Sequence, residues 1–160
     1  MGELAPKIVR DIDAAKTAED VSDWIWVAGE LIRKADQPHY TSFDLEIDRE
    51  PVTWDERIQL KEAALRALER NSDPLWIQSM LSVLSRTGDR DLKKLWINFL
   101  ADYLSVLKRS NAIVYTALIS LRDIDEPVFE GARSICMIDV DRNVEEAHKV
   151  LERQGIRIPW

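Results

Sequence analysis

The chain has 160 residues, of which 46% are hydrophobic and 32% charged; that balance fits one globular domain and excludes a wholly disordered chain. Its formal charge is −7, a field that repels nucleic-acid phosphates and anionic lipid headgroups and draws in basic proteins. A single cysteine, Cys136, leaves no internal disulfide and excludes a disulfide-stapled secreted scaffold.

Five glycines and six prolines are few for a β-rich protein, and the abundance of Leu, Ala, Glu, Arg and Ile favours helix. The first residues, MGELAPKIVRDID, hold no apolar core of signal-peptide length, and no apolar run reaches the length of a membrane span. The expectation is a cytoplasmic protein without a membrane segment.

In chain order, Pro6 opens a short helix with Ile8, Val9 and Ile12 that stops near Lys16. Thr17-Ala-Glu-Asp20 has the form of a capping box, in which Thr accepts from a new amide and the acid reaches back. Val21, Trp24, Ala28, Leu31 and Ala35 follow at spacings of three and four, which predicts one amphipathic helix. Residues 36–51, DQPHYTSFDLEIDREP, break that period. Phe43, Leu45 and Ile47 alternate there with Asp44, Glu46, Asp48 and Glu50, and a period of two predicts extended backbone.

Thr53-Trp-Asp-Glu56 is a second capping box, opening a helix to about Arg70 with Ile58, Ala64, Leu65 and Leu68 inward. Asn71-Ser-Asp-Pro74 stops that helix and starts another, which carries Trp76, Ile77, Met80, Leu81 and Leu84 towards Gly88. A long helix from Asp89 or Asp91 presents a wide apolar surface that ends with Leu107. Ser110 or Asn111 caps the next, with Ile113, Val114, Ala117, Leu118 and Leu121. Asp125 should cap a further helix, with Pro127 just inside and Val128, Phe129, Ala132 and Ile135 inward. Asp141 should cap the last, which carries Val144, Ala147, His148 and Leu151 to Gly155.

Helix starts near 54, 74, 90, 111, 126 and 142 put alternate starts about 36 residues apart, a helical-hairpin period. The stretch Ala117, Leu118, Leu121, Asp123, Asp125 and Val128, with Pro127 and Ala132, resembles the hairpin of HEAT-like repeats across about residues 53–154. The resemblance implies an all-α fold of seven or eight helices stacked as antiparallel hairpins, from which the extended acidic segment read from the alternation departs. A compact orthogonal bundle is the other arrangement open to such helices.

Chemical motifs are few. His148 borders an apolar helix face and reads as a boundary residue, whereas His39 sits beside Tyr40 and near Asp44 in the irregular segment. Cys136 among Ile135, Met137 and Ile138 reads as a buried, inert thiol. The acid pairs Asp11/Asp13, Asp123/Asp125 and Asp139/Asp141 are read as helix starts, where caps and the helix dipole explain them. Trp54, Trp76 and Trp96 read as core. Trp24 and Trp26, about 200° apart around a helix, cannot share a face. Lys93/Lys94 and Lys108/Arg109 are isolated basic doublets and do not make a nucleic-acid groove.

The ladder Asp44, Glu46, Asp48, Glu50 has three readings: a solvated strand edge, a calcium-like loop lacking its turn glycine, or a surface that meets arginines and lysines at regular spacing. The expected function is non-catalytic binding of a basic protein, with no cofactor or metal, through those four acids with Trp26 and Tyr40 as anchors. Small size, acidity and missing catalytic motifs are similar in character to bacterial immunity proteins that mask cationic nuclease toxins. The alternatives are a small enzyme with a site around His39, Tyr40 and Asp44, and a structural adaptor that associates with itself.

Overall fold

The structure is a computed structural model that describes residues 2–39 and 51–159. Among the described residues it is all-α, with eight helices, one 3-10 turn and no strand. The chain divides into two compact units, residues 1–87 and 88–160.

The first unit holds α1 (Leu4–Ala14), α2 (Ala18–Val21), α3 (Ile25–Asp36), α4 (Trp54–Arg70) and α5 (Pro74–Leu84). Both expected capping boxes form. Thr17 accepts from the Asp20 amide while the Asp20 carboxylate takes the Thr17 amide, and Thr53 and Glu56 make the same exchange. Asp73 caps α5, with Pro74 in its first turn. The helix expected to run unbroken from Val21 to Ala35 is interrupted at residues 22–24. There the Ser22 hydroxyl donates to Glu19 O and the Trp24 indole to Asp20 O, so side chains take carbonyls that the next helical turn would have used.

Helix α4 packs against α1, α3 and α5 at once. Its buried stripe is Leu60, Ala63, Ala64 and Ala67, with Glu56 and Arg57 at the start. The larger side chains expected inward do not go there: Trp54 and Ile58 are exposed, and Leu65 and Leu68 are half-buried. Three helices can approach one axis only where its side chains are small, so alanine takes the centre and bulk moves out. Trp76 fills the core beside it, with its indole donating to Ala67 O at 2.7 Å.

The second unit holds a 3-10 turn (Arg90–Leu92), α6 (Lys93–Leu104), α7 (Asn111–Asp123) and α8 (Val140–Arg153), and each helix touches the other two. Gly88 is its first residue, at φ 61°, a conformation that suits glycine after a helix end. Helix α6 stops three residues before Leu107. Arg109 donates through Nε and Nη2 to Leu104 O, at 3.1 and 3.0 Å, so a cation closes the helix C-terminus. Leu107, expected inward, is therefore 96% exposed.

The helix expected from Asp125 to Ile135 does not form; residues 124–139 run as turns and irregular chain. Asp125 and Phe129 take positive φ, 66° and 51°, as does Gly131 at 72°. Side chains of α8 supply the hydrogen bonds that a helix would have made internally. Glu146 accepts the Phe129 amide at 3.1 Å, Arg142 donates to Ser134 O, Asn143 to Cys136 O and Met137 O, and Arg153 to Pro127 O. Val128 and Phe129 are still buried, so the apolar pattern located the core contact although the element was wrong. Asp139, not Asp141, caps α8 by accepting from the Arg142 amide. Cys136, expected buried, is exposed in this segment.

Candidate functional site

The outer surface of the first unit carries two tryptophans held in fixed positions. Trp26 lies in the first turn of α3, 48% exposed, with its indole N–H donating to Asp23 O at 3.2 Å. Trp54 opens α4 and is 59% exposed; the Arg57 guanidinium lies 4.7 Å from its ring centroid. Arg57 is itself 3% exposed. It binds both carboxylate oxygens of Asp36, at 2.5 and 3.2 Å, and the Thr87 carbonyl at 2.9 Å. That network ties the start of α4 to the end of α3 and fixes the plane on which Trp54 rests by a cation–π contact. Trp26 lies ten residues before Asp36, about 15 Å along the α3 axis, so the two rings mark opposite ends of one helix. An exposed aromatic that is already ordered loses little entropy on binding, which is what an interface anchor requires.

Trp26 is the one residue of the expected docking surface that can be placed. Asp44, Glu46, Asp48, Glu50 and Tyr40, and the extended strand expected around them, lie outside the described residues. His39 is exposed in the turn after α3.

The acid pairs resolve into structural contacts, but only Asp139/Asp141 stand at a helix start: Asp11 and Asp13 lie in the last turn of α1, and Asp123 ends α7. Asp13 accepts from Arg66 at 3.0 Å, Asp125 pairs with Arg90 at 2.8 Å, and Asp139 is the α8 cap. The Asp20 carboxyl is held below its usual 3.8 by hydrogen bonds from the Lys16 and Thr17 amides. Among the described residues no group of three His, Cys, Asp or Glu side chains is placed to hold a metal ion.

The second unit bears a groove of about 590 Å³ along α8, lined by Val140, Asp141, Val144, Glu145, His148, Lys149 and Glu152, with Arg109 reaching in from the loop after α6. His148 is 4% exposed. Burial lowers its pKa below the usual 6.5, the Arg109 charge lowers it further, and Glu152 opposes both. The groove thus has an apolar floor of two valines and an uncharged histidine, between walls of both signs.

Two of these features escaped sequence reasoning. Trp54 was expected in the core because bulk was taken as the mark of the inward face of α4. The competing signal was present as Leu60, Ala63, Ala64 and Ala67 at spacings of three and four, but alanine is a weak marker of burial. The α8 groove depends on Arg109 closing α6, a contact that no local pattern announces. The chain matches no protein-family model, no curated protein and no solved structure.

Proposed function

We propose that this protein is a non-catalytic binding domain for a basic partner protein, engaged through the first unit. The observation that carries the reading is the uneven distribution of charge. Residues 1–87 hold seventeen acidic and eleven basic side chains, whereas residues 88–160 hold twelve and eleven. A net field confined to one unit steers a cationic macromolecule to that unit and raises its association rate. Trp26 and Trp54 supply ordered apolar anchors on the same unit, and the acids at 44, 46, 48 and 50 lie between them in the sequence. A bacterial immunity protein that masks a cationic nuclease toxin is the concrete form of this reading: an acidic, preformed helical surface occludes the nuclease's nucleic-acid site without making or breaking a bond.

The enzyme alternative around His39, Tyr40 and Asp44 has less support, because His39 is solvent-exposed and a proton-transfer histidine works from a shielded site. The test is a pull-down from the source cell followed by calorimetric titration of the recovered protein. The expected result is a basic protein whose affinity falls with rising salt. Reversing charge at 44, 46, 48 and 50 should weaken it at least tenfold. An acidic partner, or an affinity indifferent to those four charges, rejects the reading.

A further inference from the structure

We infer that the outer face of α4 is a docking seam for a basic amphipathic helix. The inference deepens the function proposed above and rests on it in one respect, that the helix belongs to the basic partner.

Helix α4 carries two apolar faces. The inner one is Leu60, Ala63, Ala64 and Ala67. The outer one is Trp54, Ile58, Leu65 and Leu68, with Lys61 in the same row. At about 100° per residue these five positions fall within about 40° of one line, roughly 130° round the helix from the middle of the inner stripe. Trp54 is 59% and Ile58 38% exposed, and Lys61, Leu65 and Leu68 are half-buried. Their steps alternate between four and three residues, the spacing at which one helix of a coiled coil receives the side chains of another. The seam runs about 21 Å, close to four turns. Scattered apolar side chains on a surface need no explanation, whereas a row in helical register has the form of a recognition face. Its first member is already ordered, because the Arg57 guanidinium holds the Trp54 ring by a cation–π contact.

Charge selects the occupant. Asp55, Glu62 and Glu69 recur every seventh residue and form a row about 80° to one side of the seam. All three are exposed. Among the described residues none of these carboxylates has an ion pair or a side-chain hydrogen bond, whereas Asp13 holds Arg66 and Asp36 holds Arg57. The other edge of the seam is Arg57 and Ala64, both buried. A helix laid on the seam therefore meets charge from one side, and that charge is negative. It must bring lysines or arginines to that edge once per heptad, as charged flanks do in coiled coils. Apolar burial supplies the affinity, and the exposed pairs choose the partner and its direction more than they strengthen it. A second copy of this chain does not fit. Laid antiparallel, each α4 would set its acid row against the other's; laid parallel, it would set that row against an edge already buried. An anionic lipid surface is repelled by the same row.

The test uses the full chain and a fluorescein-labelled probe helix of about 21 residues, with leucine at the a and d positions and lysine at e and g. Its controls are the same residues scrambled, and the same helix with glutamate for lysine. By fluorescence anisotropy at low salt the lysine helix should bind at least tenfold tighter than either control. Ile58→Asp and Trp54→Ala should each weaken it about tenfold with unchanged circular dichroism. The exposed pair E62K/E69K should invert the preference, so that the glutamate helix binds the tighter; a gain of that kind cannot come from lost folding. Equal binding of the lysine and scrambled helices overturns the inference, as does a preference that survives E62K/E69K. The two readings part at the cellular partner. A basic protein that depends on the acids at 44, 46, 48 and 50 but ignores Ile58→Asp and E62K/E69K leaves the proposed function standing and overturns the seam. A seam with the expected preference beside an acidic cellular partner supports the seam and removes the proposed function.

Discussion

The two units begin and end their helices by different means. In residues 1–87 the N-terminal caps are local: Thr17 with Asp20, Thr53 with Glu56, and Asp73 before Pro74 each act within a few residues of chain, while the end of α1 takes distant donors, Arg70 to Ile12 O and Ala15 O and Asn71 to Lys16 O. In residues 88–160 only Ser110 and Asp139 cap in that way. The rest falls to side chains that reach across the unit. Arg109 closes α6, and Arg142, Asn143, Glu146 and Arg153 of α8 hold residues 127–137. A unit built on local caps loses stability in small, separable steps. One that hangs a sixteen-residue segment on a single helix should lose that segment as a block when the helix is altered.

The contrast is broken most forcefully at Arg57, the buried long-range clamp of the first unit. Arg57→Ala leaves Asp36 and the Thr87 carbonyl without that donor and should cost about 3 kcal/mol in urea denaturation. The loss of amide protection should be confined to residues 1–87. Glu146→Ala sharpens the contrast from the other side. It strands the buried Phe129 amide, should cost about 2 kcal/mol, and should raise exchange through residues 124–139 together rather than at Phe129 alone. If only one or two amides respond, the segment is not held as a block. The local caps should give less: Thr53→Ala and Ser110→Ala should each cost about 1 kcal/mol, with equal values showing that a cap is worth the same in either unit. The smallest effect is the pH response of the second unit. His148 is held uncharged, so as pH falls through 6.5 the unfolded chain takes up the proton first. Stability from this group is whole above about pH 6.5 and declines below it, towards the folded-state pKa. His148→Gln should flatten the melting temperature against pH between about 5 and 7.

The same distinction explains what could be read from the sequence. Most caps that depend on residues within one turn were legible: both capping boxes, the Asp73-Pro74 start, and the Gly88 stop, while the start of α8 was placed at Asp141, two residues past its cap Asp139. The missing helix at 126–135 was not, because Asp125, Pro127, Val128 and Phe129 carry a helix signal that four side chains from α8 override. The break at residues 22–24 hid for a related reason, since Trp24 fits the apolar period of the helix it interrupts. Trp24 and Trp26 were expected not to share a face, and Trp26 is exposed while Trp24 is half-buried. Trp54 was misplaced because hydrophobicity ranks tryptophan above alanine while close helix packing ranks them the other way.

The alanine stripe of α4 also sets what the chain can tolerate. At positions 63, 64 and 67, all fully buried, volume is the filter: serine or glycine fits where valine does not, because an added methyl group has no space on a helix packed by three others. Substitutions there should track side-chain size and ignore hydropathy, so the least conspicuous residues of the longest helix are the ones least free to change.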